Sequence, residues 1–377
     1  MIAQILGIGT AVPEFHVEQA DAAQQASQLC CATEQQERLL TVLYLRAGVE
    51  KRHSVLLTAS TNGRPAEQSF YSLSSVGSAG PTTAERMQAY DRHAAPLAVD
   101  AAARSLIDAD VQANEITHVV TVSCSGFAAP GVDLALIREL QLRPETSRTH
   151  IGFMGCHGAL NGLRVAKAFA ESTPGACVLL CAVELCSLHH QFLWQPDQIV
   201  ASALFADGAA AVIVQAGGKN QANKNSGTEN RIDSEHDALD IVDLRSAVIP
   251  DSNDFIQWQI KDHGFEMALS TQVPGLIDRA LRPWLEAWLG EHQLGIDQIG
   301  SWAIHPGGPR ILDACAAVVC PNSKRLIDSE SVLAEYGNMS SPTVLFILDR
   351  LRRRDAPRPI VALAFGPGVA IEAALLK

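Results

Sequence analysis

The chain has 377 residues, 47% of them hydrophobic and 19% charged, with a formal net charge of −12. That length exceeds what one core usually serves, so two fused halves are expected, with enough apolar content for a sizeable interior. The acidic balance excludes nucleic acid as a general partner, though not a local basic patch for a phosphorylated ligand. Met1 opens no basic, apolar leader, no apolar run reaches the roughly 18 residues that span a bilayer, and the nine cysteines sit mostly in apolar segments. A reduced, cytoplasmic protein with no membrane span, no disulfide framework and no metal site is therefore expected.

In chain order, residues 2–10 read as a buried strand ending at Gly9-Thr10, and residues 19–45, rich in Ala, Gln, Glu and Leu, as helix. Arg46, Lys51, Arg52 and His53 form the one concentrated basic run, which taken alone reads as a solvated surface turn. Residues 63–83 read as loop and residues 84–107 as one or two helices. The β-branched stretch 117–124 predicts a strand, followed by a helix through Leu142. Strands are predicted over 177–184 and 209–214. Between them, His189-His190 lack the further ligands that would make them a metal pair. The Lys-, Asn-, Ser- and Glu-rich run 217–237 reads as a flexible connection, dividing the chain into residues 1–220 and 235–377. The second part opens with a strand over 239–244, passes through 258–267 to a helix after Pro274, and closes on paired strands, 360–365 and 369–374.

Three turns carry chemistry. In Met154-Gly155-Cys156-His157-Gly158, glycines flank a thiol at the start of a helical pattern (Leu160, Leu163, Ala166, Phe169). Glycine permits a tight turn close to a ligand, and a helix N-terminus favours the thiolate. His305 stands in His305-Pro306-Gly307-Gly308-Pro309, and Asn338 in Gly337-Asn338-Met339-Ser340-Ser341, each between an apolar segment and a helical pattern. A lone Cys in such a run is as readily a buried core thiol as a nucleophile, and a lone His or Asn is more often a cap. Together, in that order, they describe a nucleophile, a base and an amide donor.

These runs, with Phe365-Gly366-Pro367-Gly368 and Ala203-Leu204-Phe205-Ala206-Asp207-Gly208, resemble the signatures of type III polyketide synthases, the chalcone-synthase-like branch of the thiolase superfamily. The resemblance runs from about Ile5 to the C-terminus and is to bacterial rather than plant members. It implies an α/β fold of five layers, αβαβα, built from duplicated halves, and a homodimer in which Ala129 matches a position that reaches into the partner's cavity. It also implies that Cys156, His305 and Asn338 are catalytic, and that Cys124, Ser125, His189, Met267, Ser340 and Gly308 line or shape the cavity. Arg46, Lys51 and Arg52 are carried over as contacts to the phosphates of coenzyme A, a recognition that clustered cations suit. Met267 stands where plant members carry Phe, a departure that speaks against an aromatic starter and for an aliphatic tail.

The implied reaction takes an acyl-CoA starter and malonyl-CoA as substrates and needs no cofactor. Cys156, poised as a thiolate by the helix end and His305, takes the acyl group. Decarboxylation of malonyl-CoA, with His305 and Asn338 donating to the thioester oxygen, then supplies the carbanion that extends it. Three alternatives remain at this point. A β-ketoacyl synthase III-like enzyme would stop after one condensation. A papain-like cysteine hydrolase shares the order Cys, His, Asn but carries its Cys early in a secreted chain. A non-catalytic acyl-binding homologue would keep the fold alone.

Overall fold

The computed structural model describes residues 1–59, 67–72, 79–192, 194–217, 238–319 and 326–377. Nearly all of the connection read over 217–237, and much of the loop read over 63–83, lie outside the described residues.

Nine strands form one hydrogen-bonded order: Ser301–Ile304, Ile360–Gly366, Ala370–Leu376, Leu239–Val248, Ala3–Ala11, Asp207–Ala216, Cys177–Leu185, His118–Ser123 and Ser147–Gly152. At its middle, Leu239–Val248 and Ala3–Ala11 meet only at Gln4↔Asp240 and Ile5↔Leu239, so the order parts into two sheets joined at a corner. Each combines antiparallel pairs with a parallel outer pair, Ser301–Ile304 on Ile360–Gly366 in one and His118–Ser123 on Ser147–Gly152 in the other.

Alternation along these strands assigns their two faces. In Cys177–Leu185, Val178, Leu180 and Ala182 join one core cluster, while Cys177, Leu179, Cys181 and Val183 join another. In Ile360–Gly366, Ile360, Ala362 and Ala364 share the first of these clusters, while Val361, Leu363 and Phe365 face a third. Strands apolar on both faces need cover on both. The helix Thr83–Ala109 covers the outside of one sheet, Val273–Glu291 and Pro309–Val319 the outside of the other, and Gly158–Ser172 and Thr343–Arg353 fill the space between. This is the five-layered αβαβα arrangement expected. The helical reading over 19–45 resolves into two helices, Gln19–Cys30 and Glu34–Leu45, with the Thr33 side chain accepting from the Gln36 amide at the break. Part of the stretch 63–83 is paired rather than loop, since Glu67–Gln68 forms a ladder with Leu57–Thr58.

The layering positions the site. Cys124 and His305 directly follow the strands His118–Ser123 and Ser301–Ile304, and Cys156 lies one turn before the helix Gly158–Ser172. Parallel strand ends and helix beginnings thus meet at one end of the sandwich.

Candidate active site

Cys156 occupies a single tight turn, Gly155–His157, that runs into the helix Gly158–Ser172. Gly155 has φ +76°, and a Cβ there would lie 2.4 Å from Pro367 Cδ, so conformation and space both demand glycine. The contact brings the Gly366-Pro367-Gly368 turn against the nucleophile's turn. Asn338 is pinned at its backbone, donating its N–H to Leu204 O (2.8 Å) and accepting from Ala206 N (2.9 Å). Its side-chain Oδ1 accepts from the Ser340 amide at 2.8 Å, which leaves the NH2 as the group free to serve a ligand. His305 donates its backbone N–H to Leu363 O at 2.8 Å and is 1% exposed. Among the described residues neither of its ring nitrogens has a hydrogen-bond partner.

Cys156, His305 and Asn338 line one narrow cavity of about 60 Å³, together with Cys124, Ser340, Met267, Trp258, Phe205 and Pro367. The Ser340 hydroxyl lies 3.5 Å from the Cys156 thiol and 3.4 Å from that of Cys124. Burial works against the expected thiolate. Burial pushes Cys156 up to about 11, and the buried Glu184 adds to this, outweighing the Ser340 hydrogen bond and the backbone. Burial and the neighbouring His157 push His305 down to about 3. Burial thus works against charge on either group taken singly.

The remaining expected residues separate. Ser125 does not line this cavity: its hydroxyl donates to Glu184 Oε2 (2.6 Å) and accepts from Leu185 N (2.8 Å). His189 uses both ring nitrogens, Nε2 on Ser125 O (2.6 Å) and Nδ1 on Phe265 N (3.0 Å), and burial holds it at about 3. It lines a neighbouring cavity of about 120 Å³, which shares Cys186, Ala201, Phe205, Trp258 and Met267 with the first. Gly308 and Arg46 line a wider outer cavity of about 570 Å³, joined to the first through Leu204, Leu269, Gly307 and Ile311.

Of the three cations, only Arg46 faces that outer cavity. The carry-over of Arg52 to phosphate is corrected by its surroundings. Its guanidinium is turned inward, bonded to Ser202 O, to Phe205 O (3.1 Å) and to Gln19 Oε1 (2.8 Å), and lies 5.1 Å from the Tyr44 ring centroid. Lys51 sits on the short strand Lys51–His53, pairs with Glu18, and is not among the lining residues of these cavities. Arg310 completes the outer rim instead. It directly follows the His-Pro-Gly-Gly-Pro run, a signal present in the sequence and not used.

Two more residues went unread. Glu184, 0% exposed at the end of an otherwise apolar strand, accepts from the Cys124 and Ser125 amides (both 2.9 Å) and from the Ser341 hydroxyl (2.6 Å). It thereby ties three stretches of the site together, and burial pushes its own carboxyl up. Trp258 donates Nε1–H to Cys124 O at 2.7 Å and stands edge-on to His189 and Phe265. An acid in a strand of apolar residues was the available clue for Glu184; Trp258 opens the stretch 258–267, where the resemblance places gatekeeping side chains, though only Met267 was singled out there. Among the described residues no group of three or more His, Cys, Asp or Glu could hold a metal ion, and no helix is long and apolar enough to cross a membrane.

Comparison with known proteins bears on this geometry. Residues 2–218 match the model of the N-terminal domain of chalcone and stilbene synthases, and residues 240–377 that of the C-terminal domain. The alpha-pyrone synthesis polyketide synthase-like Pks18 of Mycobacterium tuberculosis is 32% identical over 379 residues, covering 99% of this chain and 91% of that protein. Bisdemethoxycurcumin synthase of Oryza sativa subsp. japonica is 35% identical over 298 residues, 74% of this chain and 70% of that one. The crystal structure of PKS-I from the brown alga Ectocarpus siliculosus superposes with a TM-score of 0.89 at 30% identity, covering 100% of this chain and 98% of the other.

Proposed function

The chain belongs to the chalcone and stilbene synthase family, the type III polyketide synthases, which are acyltransferases of thiolase-like fold, and from that premise we propose how its own residues act. An acyl-CoA starter is loaded on Cys156, extended by repeated decarboxylative condensation with malonyl-CoA, and cyclised to a pyrone or a resorcinol- or phloroglucinol-type ring. The observation that carries this reading is the single cavity shared by Cys156, His305 and Asn338, opening into an outer cavity rimmed by Arg46 and Arg310.

The Cys156 thiol gives its proton to His305 as its sulfur bonds to the starter carbonyl, and His305 returns that proton to the departing sulfur, so coenzyme A leaves as the thiol. Malonyl-CoA then enters the outer cavity, where the two arginines meet the phosphates. Loss of carbon dioxide builds negative charge on the thioester oxygen, and His305 and the Asn338 NH2 donate to it. One such donor contributes about 2.7–4 kcal/mol. The carbanion attacks the Cys156 thioester carbonyl and expels the Cys156 thiolate, giving a coenzyme A thioester longer by two carbons, which transfers back to Cys156 for the next round. No cofactor is required, since decarboxylation supplies the nucleophile.

The cavity of the nucleophile shares the wall of Trp258, Phe205 and Met267 with the second cavity, so the growing chain extends along that wall. Met267 is flexible and lines both spaces, which favours an aliphatic, fatty acyl starter whose tail enters the second cavity. The enzyme acts as a homodimer through the face that exposes Ala129, Phe127, Leu134 and Met154.

Mass spectrometry of products from the purified protein, given malonyl-CoA with a panel of acyl-CoA starters and set beside Cys156→Ala, tests this. Products with two or more malonyl-derived units, absent from the variant, are expected. A single extension would move the assignment to a ketoacyl synthase. No acyl adduct on Cys156 with any starter would leave a binding homologue.

A further inference from the structure

The second cavity differs from the first in the polar groups its walls leave unpaired. Arg52 lines it and is 8% exposed, and its guanidinium bonds only to uncharged oxygens: Ser202 O, Phe205 O (3.1 Å) and Gln19 Oε1 (2.8 Å). Its Nε has no partner among the described residues. A buried arginine is ordinarily paired with an acid, and a buried N–H with an acceptor. His190 lines the same cavity. Its backbone is held on both sides, the N–H donating to Tyr71 Oη (3.2 Å) and the carbonyl accepting from Arg86 Nη1 (2.9 Å). Its ring stands 5.7 Å from that of Tyr71, and its buried Nε2 has no partner among the described residues. The neighbouring hydroxyls are already committed. Tyr71 donates to Ser187 O (2.6 Å), Ser54 to Ser187 Oγ (2.7 Å), and Ser187 to Asp207 Oδ2 (2.6 Å). Asp207 also accepts from the Val55 and Ser187 amides and does not line the cavity.

We propose that the second cavity is a subsite for an oxygen at the distal end of the acyl tail, a terminal hydroxyl or carboxylate, which accepts from Arg52 Nε–H and pairs with His190 Nε2. The proposal rests on the reading of Cys156 as the acylated residue, and it narrows the fatty starter to one oxygenated at its far end. A tail tethered at Cys156 runs along the shared wall of Phe205, Trp258 and Met267 into this cavity. Both nitrogens suit such an oxygen. The guanidinium only donates, while a neutral imidazole Nε2 donates in one tautomer and accepts in the other. A hydroxyl can satisfy both, and a carboxylate also supplies the acid that Arg52 lacks. A plain alkyl end would leave the two nitrogens unpaired and shut off from water. That is how a polar pocket rejects an apolar analogue.

The test compares kcat/KM for three starters of one length on the full-length protein with malonyl-CoA: octanoyl-CoA, ω-hydroxyoctanoyl-CoA and the mono-CoA thioester of suberic acid. The set is repeated in the decanoyl and dodecanoyl series. One oxygenated starter is expected to exceed its plain counterpart about tenfold or more, and whether the hydroxyl or the carboxylate wins identifies the group. In His190→Leu and in Arg52→Lys, which removes Nε–H and keeps a charge, that ratio should fall toward one. The ratio is read within each variant, so a smaller folded fraction does not alter it. Plain starters equal or preferred in every series overturn the proposal, as does a preference that survives either folded variant. If no starter in any series acylates Cys156 or gives an extended product, the reading of the reaction has failed and takes the subsite with it. Extension of plain and oxygenated starters alike sinks the subsite alone.

Discussion

Glu184 and His305 are both buried, 0% and 1% exposed, and both belong to the site, yet their surroundings are opposite. The Glu184 carboxyl is saturated by the amides of Cys124 and Ser125 and the hydroxyls of Ser125 and Ser341. The His305 ring has no partner at either nitrogen among the described residues. An unsatisfied buried polar group costs roughly 1–3 kcal/mol, so a fold keeps one where something else completes it. Glu184 is completed by the protein and builds the site. His305, on the proposed mechanism, is completed by substrate.

Mutation sharpens that contrast. His305→Ala is expected to lower malonyl-CoA decarboxylation by about 100- to 1,000-fold. Its melting temperature should stay level, because a group without partners has few interactions to lose. Glu184→Gln is expected to reverse the pattern by turning an NH2 toward groups that themselves donate. Unfolding in urea should show a loss of about 2–4 kcal/mol, with activity falling as a consequence. If His305→Ala melts far lower, or Glu184→Gln keeps full stability, the division fails.

Acid carries the contrast to pH. Burial holds His189, His190 and His305 at about 3, against an ordinary value near 6.5. Below about 6.5 the unfolded chain therefore binds more protons than the folded one, so stability is full above that pH and declines as it falls toward 3. Asp207, held up at about 6 by burial, acts in the opposite sense between about 4 and 6. His305→Gln removes one of the three histidines and leaves Asp207 alone. The slope of unfolding free energy against pH, measured in urea between pH 4.5 and 6, should flatten by up to about 1.4 kcal/mol per pH unit. An unchanged slope would mean that His305 is not held neutral.

The smallest effect is expected at the rim. Arg46→Ala and Arg310→Ala should each raise KM for malonyl-CoA about threefold, more at low salt than at high, with kcat little changed. Lys51→Ala should leave KM as it is. Equal effects at all three positions would restore the broader basic run as the phosphate contact.

The sequence by itself determined the strands apolar on both faces, the helix and strand order around them, and the three turns that carry Cys156, His305 and Asn338. Each is a local matter: a period of two or of 3.6, a glycine where φ is positive, a polar residue where a strand ends. Tertiary structure alone decided the rest. Arg46 and Arg52 stand six positions apart in one basic run. Arg52 turns inward because the carbonyls of Ser202 and Phe205 and the Gln19 amide oxygen, all distant in the chain, are there to receive it. Trp258 becomes a cavity wall because its indole finds the Cys124 carbonyl across 134 positions. Helix geometry favours a thiolate at Cys156, while the surrounding apolar wall works against it. A helix end is written in a dozen neighbouring residues, whereas the dielectric around a thiol is set by whichever side chains the whole fold brings against it.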